Sequence, residues 1–193
     1  IANYFRENYL QDQTDLMNTK AVLFYNFEFF PENLFLRNIF FHLCQYDYFF
    51  IVCEILKNQH FEIDFIIKDT GLYEEVTTPF TASISNDNAN VTQILLKHNC
   101  NVNVNFIVTK CRWSKHEENQ NALSLAILNN NEKIVKLLLE NDKIDLNAHL
   151  FQKIYKFNSS CQISESIPIF ESITNKNLEI IQLLASDPRI DIN

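Results

Sequence analysis

A few side chains in this sequence are of types that could do chemistry, and their spacing decides what that chemistry would be. Cys111, His116 and Cys161 together could suggest a metal site. The Cys-x4-His spacing does not suit a closed tetrahedral zinc site and the third ligand is remote, so we predict no metal. A serine nucleophile elbow, a glycine-rich phosphate loop and a metal-binding histidine pair are all missing from the sequence, which contains one glycine, Gly71. We therefore expect neither catalysis nor a cofactor.

Two pairs of adjacent glutamates give the sharpest indication of a binding function. Glu74-Glu75 and Glu117-Glu118 stand at the same distance before two successive copies of a repeated phrase. If the copies stack, the four carboxylates align along one edge and form an acidic ridge that could select a basic partner. The alternative is that these glutamates are solvated loop charges on an acidic protein.

The repeated phrase has two parts: an amphipathic run of small residues and, past an Asn-rich break, a second apolar run that ends in Asp/Asn-x-Asn. Its copies begin near residues 39, 78, 121 and 167. In the second run an apolar residue is followed three and four positions later by an apolar pair, which is the stripe of a helix packed on one side. The pairs are Ile55-Leu56, Ile94-Leu95, Leu137-Leu138 and Leu183-Leu184. The phrase therefore predicts a stack of helix pairs, each burying its apolar face against its neighbours.

Small residues and turn residues recur at fixed places in the copies. Five positions after each start a small side chain would let the first helix approach its neighbours closely, and the residues there are Cys44, Ser83, Ala126 and Ser172. Nine positions after each start, where the chain must turn, stand Tyr48, Asp87, Asn130 and Lys176. Asn-rich triplets surround the last three of these turns, and we predict that they cap the helices.

This pattern resembles the ankyrin repeat, whose first helix opens with T-P-L-H-x-A and whose second helix ends in leucines and G-A-D-x-N. Thr78-Pro79-Phe80 matches the opening, Cys100-Asn101-Val102-Asn103 matches the ending, and His42 falls at the histidine position of the first copy. The resemblance covers roughly residues 35 to 193. It implies an all-α fold, an ankyrin-like helix-turn-helix solenoid of about four repeats.

The copies depart from the family pattern in two ways. The usual glycines are absent, and the copies exceed the usual length of about 33 residues. The excess lies where ankyrin proteins have their hairpin fingers, so we expect long connecting fingers, the largest over residues 104–120 and 148–166. We expect an atypical N-terminal helical cap over residues 1–34 and a repeat array over 35–193, continuing beyond 193. The expected repeats are about 35–74, 75–117, 118–163 and 164–193.

The resemblance also implies where a partner would bind, because ankyrin proteins use their finger tips and the concave ends of their inner helices. Trp113, the single tryptophan, lies in a finger. It could be an interface anchor, although we favour a role in pinning the long finger onto the stack. The candidate partner-binding residues are Glu74, Glu75, Glu117, Glu118, Trp113, Tyr46, Asn86 and Asn129.

Composition narrows the class of protein further. The net charge of −8 argues against nucleic acid or an anionic membrane as partner, and no apolar stretch is long enough to span a bilayer. Five cysteines without CxxC spacing favour reduced thiols and the cytoplasm. Asn, Ile, Phe and Lys are abundant, a bias typical of AT-rich genomes such as those of some protists. The chain begins at Ile1 rather than Met, so we expect its true N-terminus to be missing.

The sequence thus predicts a monomeric, non-catalytic scaffold that binds a protein partner through finger tips and the concave inner-helix face. The alternative that the residues leave open is a regulatory or targeting segment of a larger enzyme whose catalytic domain lies elsewhere.

Overall fold

A computed structural model describes residues 34–57, 61–70, 74–103, 106–109, 116–155 and 161–191. Within these ranges the chain forms eight α-helices and six β-strands. The helices are α1 (Leu34–Gln45), α2 (Phe49–Ile55), α3 (Pro79–Ser85), α4 (Ala89–Lys97), α5 (Ala122–Leu128), α6 (Glu132–Leu139), α7 (Pro168–Asn175) and α8 (Leu178–Ala185). The strands are β1 (Ile67–Thr70), β2 (Glu74–Thr77), β3 (Phe106–Thr109), β4 (His116–Gln120), β5 (Leu150–Tyr155) and β6 (Cys161–Ser166). The expected N-terminal cap lies outside the described residues, apart from Leu34, where α1 begins.

The helices form four consecutive pairs, and like helices of neighbouring pairs pack together. The first helices of the pairs (α1, α3, α5 and α7) make one layer, and the second helices (α2, α4, α6 and α8) make the other. One hydrophobic core runs through all four pairs, with Val52, Leu95, Leu138 and Leu184 each fully buried in their second helices. The predicted solenoid of helix pairs is confirmed.

The segments between successive pairs fold as three hairpins that join edge to edge. The strand order is β1-β2-β3-β4-β5-β6, and every neighbouring pair is antiparallel. We expected hairpin fingers at these places but not one continuous sheet. The hydrogen bonds that join β2 to β3 and β4 to β5 therefore link successive fingers in addition to the helix contacts.

The first helices of the pairs are the inner helices, and two of them, α3 and α5, begin where a polar side chain satisfies a free N–H group. Thr78 and Asn121 occupy the N-cap positions of α3 and α5, and each accepts a hydrogen bond from the backbone N–H three residues later. The side chains of Thr81 and Ser124 reciprocate by accepting from the N-cap backbone N–H, at 2.9 Å in both helices. These reciprocal bonds form capping boxes, which fix both helix starts.

The turns within the pairs use a left-handed residue that is not glycine. Asp47, Asp87, Asn130 and Lys176 have φ angles between 53° and 59°. This corrects the first copy, where Tyr48 was predicted at the turn. Asp47 takes the left-handed conformation because a short polar side chain tolerates it better than a tyrosine does.

The correction moves the register of the first copy by one residue. The N–H of Tyr48 donates to the carbonyl of Leu43, as the N–H of Asn88 does to Ser83 in the second copy. Leu43, and not Cys44, is thus the counterpart of the buried small residues of the other copies. Consequently, His42 does not occupy the histidine position of the motif.

Asparagine side chains from one copy cap the inner helix of the copy before it. The Asn88 amide donates to the carbonyls of Cys44 and Gln45, both at 2.8 Å. The Asn175 amide donates to the carbonyl of Ile127 at 3.1 Å. These bonds satisfy helix-end carbonyls that the helix itself leaves free.

A second set of asparagines joins the Asp/Asn-x-Asn endings of adjacent copies. Asn103 donates to the carbonyl of Lys143 at 2.7 Å and accepts from the N–H of Asp145 at 2.9 Å. Asn147 repeats both bonds one copy later, with Arg189 at 2.8 Å and Asp191 at 2.9 Å. Each side-chain amide thus pairs like a peptide group with the next ending.

Candidate interaction surface

The predicted glutamates lie on the returning strands of the first two fingers. Glu74 and Glu75 are the first two residues of β2, directly after residues 71–73, which lie outside the described ranges. Glu117 and Glu118 are the second and third residues of β4. The four residues therefore lie in the strands next to the finger tips, where the sheet determines their register.

The sheet brings the two glutamate pairs into register across β3. Glu74 and Glu117 both pair with Thr109, and Glu75 and Glu118 both pair with Val108. Adjacent strands are about 4.8 Å apart, so the backbones of the two pairs are separated by roughly 10 Å. The backbones of the two pairs are thus in register, but in two cross-strand rows, Glu74 with Glu117 and Glu75 with Glu118, whereas we expected one ridge of four carboxylates.

Residues that pair across successive strands form rows that run across the sheet. The two rows that contain the glutamates differ in which other charged residues they include. The first row pairs Glu117 with Lys153 on β5. The second row pairs Glu75 with Asp69 on β1. It continues to Glu118 and Gln152, so its charged residues between β1 and β5 are all acidic. We call this second row the acidic row: Asp69, Glu75, Val108, Glu118 and Gln152.

Sequence reasoning missed Asp69 and Lys153 as neighbours of the glutamates. Asp69 has no acidic counterpart in the next finger, where the residue that pairs with Glu118 is Val108. Asp69 pairs with Glu75 within one hairpin, whose register the sequence pattern did not give. Lys153 comes beside Glu117 through the pairing of β4 with β5, two strands that belong to different fingers.

The other predicted residues are Tyr46, Asn86 and Asn129, which lie at the ends of the inner helices. Their side chains differ in exposure and in the hydrogen bonds that they make within the protein. Tyr46 is 52% exposed, and its ring stacks on His42 at a centroid distance of 6.1 Å. The Asn86 side chain donates to the carbonyl of Ala82 in its own helix at 2.9 Å. Of these side chains, Tyr46 presents an exposed aromatic ring, whereas the amide of Asn86 closes its own helix.

Asn129 has a role between copies. Its side-chain amide donates to the carbonyls of Ile84 and Ser85, both at 3.2 Å, in the preceding inner helix. Both N–H donors of the side chain are therefore engaged within the protein. Trp113 lies outside the described residues.

The family comparison agrees with this architecture. The family model for ankyrin repeats matches three copies over residues 40–150, which is more than half of the chain. The chain belongs to the ankyrin-repeat family. A search of curated proteins found no match. Ankyrin repeats are generally protein–protein interaction modules and are typically not catalytic.

One apolar position recurs in three of the inner helices, and its exposure differs in the last described helix pair. Ile84 and Ile127 occupy the same place in α3 and α5, and both are 0% exposed. Ile173 occupies that place in α7 and is 51% exposed. Phe170 and Leu178 are also more than half exposed on this helix pair. The first two isoleucines lie in helices that pack against the inner helix of a following pair, whereas no further helix pair follows Ile173 among the described residues.

Two cysteines of the ankyrin repeats, Cys44 and Cys100, belong to the hydrophobic core. Cys44, Cys53 and Cys100 are free thiols, and Cys44 and Cys100 are buried. Burial raises the pKa of the Cys100 thiol to about 12 and raises the pKa of Cys44 well above its ordinary value. Thiols of this kind stay protonated at neutral pH and are poor nucleophiles and metal ligands.

No candidate metal centre is found in the part of the chain that the structure describes. No group of three or more His, Cys, Asp or Glu side chains there could hold a metal ion. Cys111, from the metal site that we considered, lies outside that part. A shallow groove of about 300 Å³ lies between α6 and α8. It is open to solvent and is lined by Glu132, Lys136, Glu179, Gln182, Leu183 and Ser186.

Membrane insertion finds no support in the helices. Among the described residues, no helix combines the length and the apolar character needed to cross a bilayer. The longest, α1, has 12 residues.

Proposed function

We propose that this ankyrin-repeat chain is a non-catalytic scaffold that binds a protein partner across its finger sheet and the concave face of its inner helices. The observation that carries the proposal is the register of the sheet, which aligns the glutamate pairs of two fingers across β3. A joined sheet holds such residues at fixed spacing, so a partner meets a preformed surface and less ordering accompanies binding.

The charge of the acidic row supports a basic partner. Asp69, Glu75 and Glu118 occupy one row of the sheet, and the whole chain has a net charge of −8. Complementary charge steers diffusional encounter and raises the association rate, an effect that salt screens. Tyr46 adds an exposed aromatic ring on the concave side, a residue type enriched among binding hot spots.

The experiment begins with affinity capture of a partner and then tests the acidic row by charge reversal. We expect Glu75→Lys with Glu118→Lys to weaken binding of the captured partner at least ten-fold at low salt, and less at high salt. The matched control is Glu54→Lys with Glu140→Lys. Those glutamates are exposed on or next to the second helices, and the control changes the net charge equally. Equal affinity of the acidic-row variant and the wild type, or equal weakening in the control, would refute the proposal.

The tryptophan needs a separate variant because it has two proposed roles. Binding that persists in a Trp113→Ala variant of undiminished stability excludes an anchoring role. Lost stability instead indicates that Trp113 orders its finger.

We also propose that the scaffold works as a monomer in the cytoplasm. The three free thiols among the described cysteines suit a reducing compartment.

A further inference from the structure

We draw no further inference here: the strongest candidate, the apolar surface that Phe170, Ile173 and Leu178 form on the last helix pair beside the edge strand β6, carries none because nothing in the structure shows what covers it.

Discussion

We predict that the backbone at Lys176 is strained, because this lysine adopts the left-handed conformation. Lys176 has φ 58° and ψ 25° at the end of α7, and its counterpart Asn130 has φ 53° at the end of α5. A left-handed backbone costs most residues about 1–2 kcal/mol, whereas asparagine adopts it more readily. We therefore expect Lys176→Asn to stabilise the protein by about 1 kcal/mol and Asn130→Lys to destabilise it by about the same amount.

The variants Lys176→Asn and Asn130→Lys serve as controls for each other, because they make opposite exchanges at two equivalent turns. Both variants use the same two side chains, so effects on the unfolded chain have opposite signs and similar sizes. A third variant, Lys176→Gly, removes the strain but adds about 0.5–1 kcal/mol of unfolded-state freedom. Its stability should therefore fall between those of the lysine and asparagine forms.

Hydrogen exchange is the suitable assay because repeat proteins open locally. The amide of Ile180 donates to Asn177 at 3.1 Å in the first turn of α8, directly after the strained residue. A gain of 1 kcal/mol slows its exchange about five-fold. The melting temperature should rise by about 2–4 °C. Unchanged or faster exchange in Lys176→Asn would show that the turn is not strained.

Three further predictions concern the core. Leu138 is fully buried, so Leu138→Ala should cost about 2–5 kcal/mol. It should also lower hydrogen-exchange protection in both neighbouring repeats, and a purely local loss would contradict the stacking argument. Ser83 and Thr92 share a buried hydroxyl contact of 2.9 Å. We expect Ser83→Ala alone to cost about 1 kcal/mol, and the double change with Thr92→Val to cost no more, in urea unfolding. A cost of the double change equal to the sum of the costs of the two single changes would contradict this expectation. Cys44 and Cys100, both buried with raised pKa values, should resist iodoacetamide up to pH 9, as read by mass spectrometry of their peptides. Rapid labelling of the native protein would show that the core is open.

Local patterns predicted the helix pairs because each pair depends on short-range spacing. The apolar stripes place Ile134 and Leu138 on one face of α6, and both are fully buried. The first copy was displaced by one residue because its inner helix is 12 residues long and lacks a Thr-Pro start. Nothing local distinguished Asp47 from Tyr48 at the turn except the preference of short polar side chains for left-handed angles.

The candidate site was predictable only in part, because it depends on contacts that are distant in sequence. The recurrence of the glutamate pairs in two copies indicated that they share a register, but not that the register divides them into two cross-strand rows. The neighbour Lys153 follows from the pairing of strands in different fingers, which has no local signal. Asn129 was predicted to face a partner, but its amide donates to carbonyls of the preceding copy. Residue type alone cannot tell these two uses of an asparagine apart.

The amide bridges of Asn103 and Asn147 close the joints between repeats at the bases of the second and third fingers. Because the joint is closed there, the chain between the two ends of a finger can change in length without moving the helices. Doubling such a loop costs only about 0.6 kcal/mol. The finger tips are therefore the part of this protein that can accept inserted sequence, and new binding specificities can arise there while the helical spine stays the same.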